Sequence, residues 1–124
     1  MKDACPCGRG ATFEACCGRY LGTGVPAPDA ESLMRSRYTA FVRGDVAHLL
    51  ATWHASRRPA TIELDVGVRW LGLEVKRHTA IDHEHAEVEF VARSRVQGRG
   101  QRLHERSRFV REDGCWFYVD GDVR

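Results

Sequence analysis

An α+β fold is predicted by three features of the sequence: two amphipathic helical segments with their own caps, a change to period-two hydrophobicity behind them, and glycine-centred turns between the period-two runs. The helices come first and a strongly curved antiparallel sheet follows. A cysteine cluster ahead of both fits neither pattern. It sets residues 1–22 apart as a small module, joined through a linker of residues 23–28 to an α+β domain over 29–124.

The cluster reads Cys5-Pro6-Cys7-Gly8-Arg9-Gly10 and closes with Cys16-Cys17-Gly18. Behind it, Gly22-Thr23-Gly24-Val25-Pro26-Ala27-Pro28 has the composition of a linker. Asp29 then stands at a helix N-cap, where its carboxylate accepts from the orphan amides of the first turn. Met34, Tyr38, Phe41 and Val42 fall at i, i+4, i+7 and i+8, one face of a helix. Gly44 can close that helix in the left-handed conformation. Asp45 caps a second helix with Val46, Leu49, Leu50 and Trp53 on its apolar face, and Pro59 marks its end or the loop beyond.

After Thr61 the period changes. Leu71, Leu73 and Val75 alternate with Gly72, Glu74 and Lys76; Val88, Phe90, Ala92, Ser94 and Val96 alternate with Glu87, Glu89, Val91, Arg93 and Arg95. Leu103, Glu105, Ser107 and Phe109 alternate with Arg102, His104, Arg106 and Arg108. Such runs suit antiparallel strands with one face on a core. Gly98-Arg99-Gly100 and Asp113-Gly114 are the expected hairpin turns, and Asp82 to His85 is a further polar break.

At 124 residues, 43% hydrophobic and 9% aromatic, the chain holds one packed domain or one plus a small appendage, which excludes a disordered protein. No apolar run approaches the roughly 18–20 residues of a membrane helix. Met1-Lys2-Asp3-Ala4-Cys5-Pro6 carries no apolar stretch of a secretory signal, so the expected compartment is the cytoplasm. In a reducing compartment a tight cysteine cluster holds metal rather than disulfides, and the adjacent Cys16 and Cys17 are sterically poor disulfide partners. Thiolate is the ligand of closed structural zinc sites. Cys5, Cys7, Cys16 and Cys17 are therefore expected to hold one structural zinc ion with no position left for water. The formal charge of +2 falls close to zero once four thiolates and the zinc are counted, which weakens a nucleic-acid reading based on charge. A metal also orders a glycine-rich segment whose bulky apolar groups are only Phe13, Tyr20 and Leu21.

These residues resemble known ones. Cys5-Pro6-Cys7-Gly8-x-Gly10 with Cys16-Cys17-Gly18 is similar to the SEC-C motif, the zinc module also found at the tail of the SecA translocase; Arg9 stands where that motif usually has serine. Leu33-Met34-Arg35-Ser36-Arg37-Tyr38-Thr39-Ala40-Phe41, Ala51-Thr52-Trp53-His54 and His104-Glu105-Arg106-Ser107-Arg108-Phe109 resemble the YchJ-like family of uncharacterised bacterial proteins. The resemblance spans nearly the whole chain. It implies a SEC-C-like zinc module joined to a nuclear transport factor 2-like domain, a cone of helices over a curved sheet.

That cone hosts isomerases and dehydratases elsewhere, with a carboxylate, histidine or tyrosine in the cavity as acid or base. Tyr38, His54 and Glu105 are the cavity candidates here, with His104 and Tyr118 beside them. Glu105 shares a strand face with Leu103 and Phe109, so it is a catalytic group or half of a buried ion pair, and the abundant arginines favour the pair. His54 near a helix end is expected to cap carbonyls. His83-Glu84-His85 has no third ligand nearby and reads as a solvated turn. Arg93, Arg95, Arg99, Arg102, Arg106 and Arg108 crowd one hairpin beside Trp116, Phe117 and Tyr118, which suits RNA or ribosome binding; Glu87, Glu89, Glu105 and Glu112 suit an ion-paired face instead. Cys115 reads as a small buried residue.

The favoured functional reading is a zinc-containing cytoplasmic adaptor. Arg9, Phe13, Arg19 and Tyr20 would present a surface to a protein or ribonucleoprotein partner, and the larger domain would offer a second surface or a homodimer face. The alternatives are a small-molecule or isomerase-like site in the cone, and RNA binding through the arginine hairpin.

Overall fold

Side-chain caps start both helices. Asp29 Oδ1 accepts from the Ser32 backbone N–H at 2.7 Å and opens α1, Ala30–Arg43, which Gly44 closes at φ 75°. Asp45 accepts from the His48 N–H in the same way and opens α2, Val46–Ala51. The computed structural model describes residues 3–124; Met1 and Lys2, the head of the expected 1–22 module, lie outside the described residues. The second helix is shorter than its apolar spacing suggested. Thr52 is its C-cap, and Trp53 leaves the helix to form a parallel bridge with Tyr118.

The period-two segment forms β1 (Val68–Ala80), β2 (His85–Val96), β3 (Arg99–Glu112) and β4 (Cys115–Val123), antiparallel in the order β1-β2-β3-β4. The β2–β3 turn is Gln97-Gly98, with φ 51° and 78°, one residue ahead of the expected glycine triplet. Asp113-Gly114, φ 51° and 79°, joins β3 to β4 as expected. Both two-residue turns have positive φ throughout, the geometry whose twist matches that of the flanking strands. Irregularities at Trp70/Gly72 and Val75/Arg77 in β1 and at Arg108/Phe109 in β3 curl the sheet. On β2, Val88, Phe90, Ala92 and Ser94 are buried as the alternation predicted, whereas Val96 is half-buried and Val91, expected on the wetter face, is buried too.

α1 is buried on more than the one face expected of it. Ser32 and Thr39 meet the cysteine segment, Tyr38 and Phe41 stack on Trp70 of β1, and Ser36 and Arg37 meet α2. Val42, expected on the apolar face, is 38% exposed. The helix lies between the cysteine segment and the sheet, so polar residues on its far side are buried too. One continuous buried cluster runs from Cys5, Cys7, Cys16 and Cys17 through Leu33 and Met34 to Phe90 and Phe109.

Candidate metal centre

The cysteine segment is a small hairpin with a tight exit. Ala4 and Thr12 form an isolated antiparallel bridge, Cys5 N–H donates to Ala11 O at 2.9 Å, and Cys16 opens the 3-10 turn Cys17–Arg19. Gly8 at φ 77° turns the chain so that the Arg9 N–H is directed at Cys7 Sγ. Gly18 N–H donates to Phe13 O at 2.8 Å and draws the second cysteine pair back over the first. The four Sγ atoms lie within 4.8 Å of one another, and no cysteine of the set is more than 5% exposed.

The protonation of the cluster shows what it is fitted for. Cys7 falls to about 4, chiefly because the Cys17 thiol donates to it. The same bond pushes Cys17 far up, and burial raises Cys16 to about 11. Cys7 thus takes up negative charge readily, while Cys16 and Cys17 are opposed by burial and by the charge on Cys7. A divalent cation removes that conflict. The Cys7–Cys16 Sγ separation of 3.6 Å is close to the edge, about 3.8 Å, of a tetrahedron with metal–sulfur bonds of about 2.3 Å. Cys5, Cys7, Cys16 and Cys17 therefore can hold a metal ion, and among the described residues no other group gathers three or more such ligands.

Comparison with known proteins agrees with this. The SEC-C motif matches residues 1–19, and the family described as YchJ, middle NTF2-like domain, matches residues 29–121. The chain belongs to the YchJ-like family. A UPF0225 protein of Methylibium petroleiphilum is 64% identical over 120 residues, covering 96% of this chain and 88% of the relative. One from Chromobacterium violaceum is 56% identical, covering 98% and 94%. The solution structure of a SEC-C motif containing protein from Rhodopseudomonas palustris matches with a TM-score of 0.87 at 34% identity, covering 100% of this chain and 99% of that one. The crystal structure of a SEC-C motif containing protein from Psychrobacter arcticus gives 0.78 at 28% identity, covering 97% and 82%.

In this member of the YchJ-like family, α1 supplies the surroundings of the cluster. Arg35 Nη1 donates to Cys7 O at 2.8 Å, and Thr39 Oγ1 lies 3.7 Å from Cys5 Sγ. Arg9 reaches back to Ser32 Oγ at 2.9 Å and Glu31 Oε2 at 3.2 Å. Sequence reading passed over Arg35 and Thr39. The available signal was polar residues on α1 at positions a one-faced helix would leave in water.

The four residues expected on a partner surface are placed differently from one another. Arg9 and Arg19 are exposed, but Phe13 is half-buried with the Arg43 guanidinium 4.1 Å from its ring centre. Tyr20 is 8% exposed and belongs to the core, because the 3-10 turn directs it inward against α1.

The cone candidates Tyr38, His54 and Glu105 each have partners of their own. Glu105 accepts from Ser107 Oγ and, at 3.4 Å, from the Tyr118 hydroxyl, rather than pairing with an arginine as expected. Arg37 is close enough to feel the Glu105 charge, but it is buried, donates to Leu49 O and Thr52 Oγ1 and lies 4.6 Å from the Tyr118 ring centre. Burial lowers Arg37 to about 10, so it stays charged at neutral pH. Tyr38 is 4% exposed and meets Trp70 edge to face, and burial raises its hydroxyl above the usual phenol range. His54 does not cap α2; its Nε2 lies 2.8 Å from the Glu112 carboxylate and its Nδ1 2.7 Å from Ser56 Oγ. His85 pairs with Asp82 in the exposed turn, as the polar break suggested. The hairpin arginines pair differently from the expected glutamates: Arg106 and Arg108 reach Asp122, Arg108 also Asp120, and Arg93 reaches Glu74. Cys115 is only half-buried. It lines a cavity outside the cone candidates, which also includes the unforeseen His48.

Proposed function

We propose that the protein holds one zinc ion in a closed structural site and works as a cytoplasmic adaptor, offering the face of its cysteine segment to a protein or ribonucleoprotein partner. The observation that carries this reading is the burial of all four thiols at no more than 5% exposure within a 4.8 Å cluster. Four such ligands complete a tetrahedron and leave no position for a water to be activated. Zinc suits them best, since thiolate favours it and the site sets no octahedral demand. The ion's contribution is then rigidity.

What the ion stiffens is an exposed edge made of Gly8, Arg9, Gly10, Glu14, Ala15 and Arg19. Arg19 is held in place there, its Nε donating to Cys16 O at 3.0 Å and its guanidinium 5.0 Å from the Tyr20 ring centre. A basic side chain fixed beside a metal cluster is a pre-organised contact, which lowers the ordering cost of binding.

The experiment is affinity capture with wild type, Arg19→Glu and Cys5→Ser, with zinc measured on each purified protein. The reading expects zinc in wild type and Arg19→Glu, little in Cys5→Ser, and a shared partner lost from both variants. Arg19→Glu retaining every wild-type partner would sink the adaptor surface, and zinc retained by Cys5→Ser would sink the ligand set.

A further inference from the structure

A cavity of about 350 Å³ lies where the chain behind the cysteine segment meets α2 and the β3–β4 hairpin. Val25, Pro26 and Ala51 give it apolar walls, with the aromatic rings of Tyr20, Trp116 and Phe117 among them. Its lining also carries polar groups: Asp45, His48, Thr52, Cys115, the Tyr20 hydroxyl and the Trp116 indole N–H. Thr52 Oγ1 donates to His48 O, and Asp45 Oδ1 accepts from the His48 N–H.

Of these His48 is a buried side chain, only 7% exposed. Its Nε2 lies 2.9 Å from Ser36 Oγ, whose single proton is committed to Leu33 O at 2.7 Å. Ser36 must therefore accept, so Nε2 carries the proton and Nδ1 the lone pair. Among the described residues Nδ1 has no hydrogen-bond partner, and it is not sealed from solvent. Burial, aided by nearby Arg37 and opposed by Asp45, lowers the imidazole's affinity for a proton and keeps the ring neutral at neutral pH. No Lys or Arg lines the cavity. The site thus offers flat apolar walls and hydrogen-bond acceptors, without a cation to draw an anion. A small ligand that leaves a buried acceptor unmatched loses affinity, and one that supplies a donor gains it.

We propose that this cavity binds a small, flat, aromatic molecule carrying one N–H or O–H donor, which His48 Nδ1 accepts while Trp116, Phe117 and Tyr20 enclose the ring. The site is independent of the adaptor reading, since it uses neither Arg9 nor Arg19.

Matched pairs test it on the zinc-loaded full chain: indole against 1-methylindole, and 2-naphthol against 2-methoxynaphthalene. Binding is followed by calorimetry and by the side-chain N–H signal of Trp116 in nitrogen-labelled protein. The donor-bearing member of each pair should bind about 5- to 100-fold more tightly than its methylated twin, shift the Trp116 signal, and slow alkylation of Cys115. His48→Phe should make the members of each pair equal. Ala51→Phe, an exposed position at the cavity wall, should weaken all four and keep the fold if His48→Phe does not. Equal binding within both pairs in the wild type overturns the role of His48. Failure of all four to bind, or binding that leaves Trp116 unmoved, overturns the site.

Discussion

Arg35 donates from Nη1 to the carbonyl oxygen of Cys7 at 2.8 Å while its Nε holds Glu31 Oε2 at 2.9 Å. One side chain of α1 thus pins the backbone of a candidate metal-ligand residue, and Glu31 is shared with Arg9 coming from the cysteine segment itself. Arg35→Met keeps the aliphatic stem and removes the donors. It is expected to cost about 1.5–3 kcal/mol of unfolding free energy, the scale of a hydrogen bond from a charged group, with zinc content unchanged. Urea denaturation with parallel zinc analysis checks this; an unaltered midpoint would mean that the thiolates alone anchor the segment.

Cys7→Ser replaces the fully buried member of the cluster with an oxygen that zinc binds poorly. Zinc should fall from about one per chain to a small fraction of that. Because the segment covers one side of α1, the melting temperature of the whole chain should fall as well. Elemental analysis and near-ultraviolet circular dichroism report the two effects. Full zinc with an unchanged melt would show that Cys7 is no ligand.

Gly18 tests the packing of the segment without touching a ligand. A Cβ there would sit 2.7 Å from Phe13 O and 2.9 Å from its Cε2, and the ring is backed by Arg43. Gly18→Ala should destabilise by about 1–3 kcal/mol through overpacking. Gly100→Ala meets nothing within 4 Å and should stay within about 0.5 kcal/mol of wild type. Equal effects of the two in a denaturant titration would contradict the packing.

His48 makes stability depend on pH in a defined direction. Burial depresses its native pKa below 6.5, so in the window between the two values the unfolded chain binds more protons and stability rises with pH. The stabilisation is complete above the unfolded value of 6.5 and is lost as pH falls toward the depressed native one. Thiolate protonation would also weaken any metal held by the cysteines as pH falls, so the comparison must be between wild type and His48→Gln at the same pH. The difference between their unfolding free energies should shrink as pH drops from 7.5 to 5.5; a difference that does not change with pH refutes the assignment.

Signals within a few residues of one another were legible in the chain. Asp29, Gly44 and Asp45 mark helix ends because caps act on the adjacent turn, and Asp113-Gly114 marks a hairpin because few residues tolerate its φ values. The four cysteines were legible because their spacing alone brings them together. What failed depended on the third dimension. Val42 was assigned to the core because a one-faced helix was assumed, whereas α1 has neighbours on several sides. Tyr20 was assigned to the surface because nothing local shows that the segment docks on α1. Glu105 was assigned an arginine, but Ser107 shares its face of β3 and Tyr118, paired with Phe109, reaches it with its hydroxyl, and those groups satisfy it. The β4 strand went unnamed because Trp116, Phe117 and Tyr118 do not alternate in hydrophobicity.

The irregularities in β1 bear on how another chain can meet this protein. A long outermost strand is a template on which a foreign strand can extend the sheet. β1 is outermost for 13 residues, yet its ladder to β2 slips at Trp70/Gly72 and again at Val75/Arg77. Each slip twists the strand and changes the spacing of its unpaired amides. Gly8 approaches Leu73 O between them, and Lys76 and Arg77 place charge farther along. The edge of β1 therefore presents short, twisted stretches of free backbone rather than one long flat run, a poor template for an added strand.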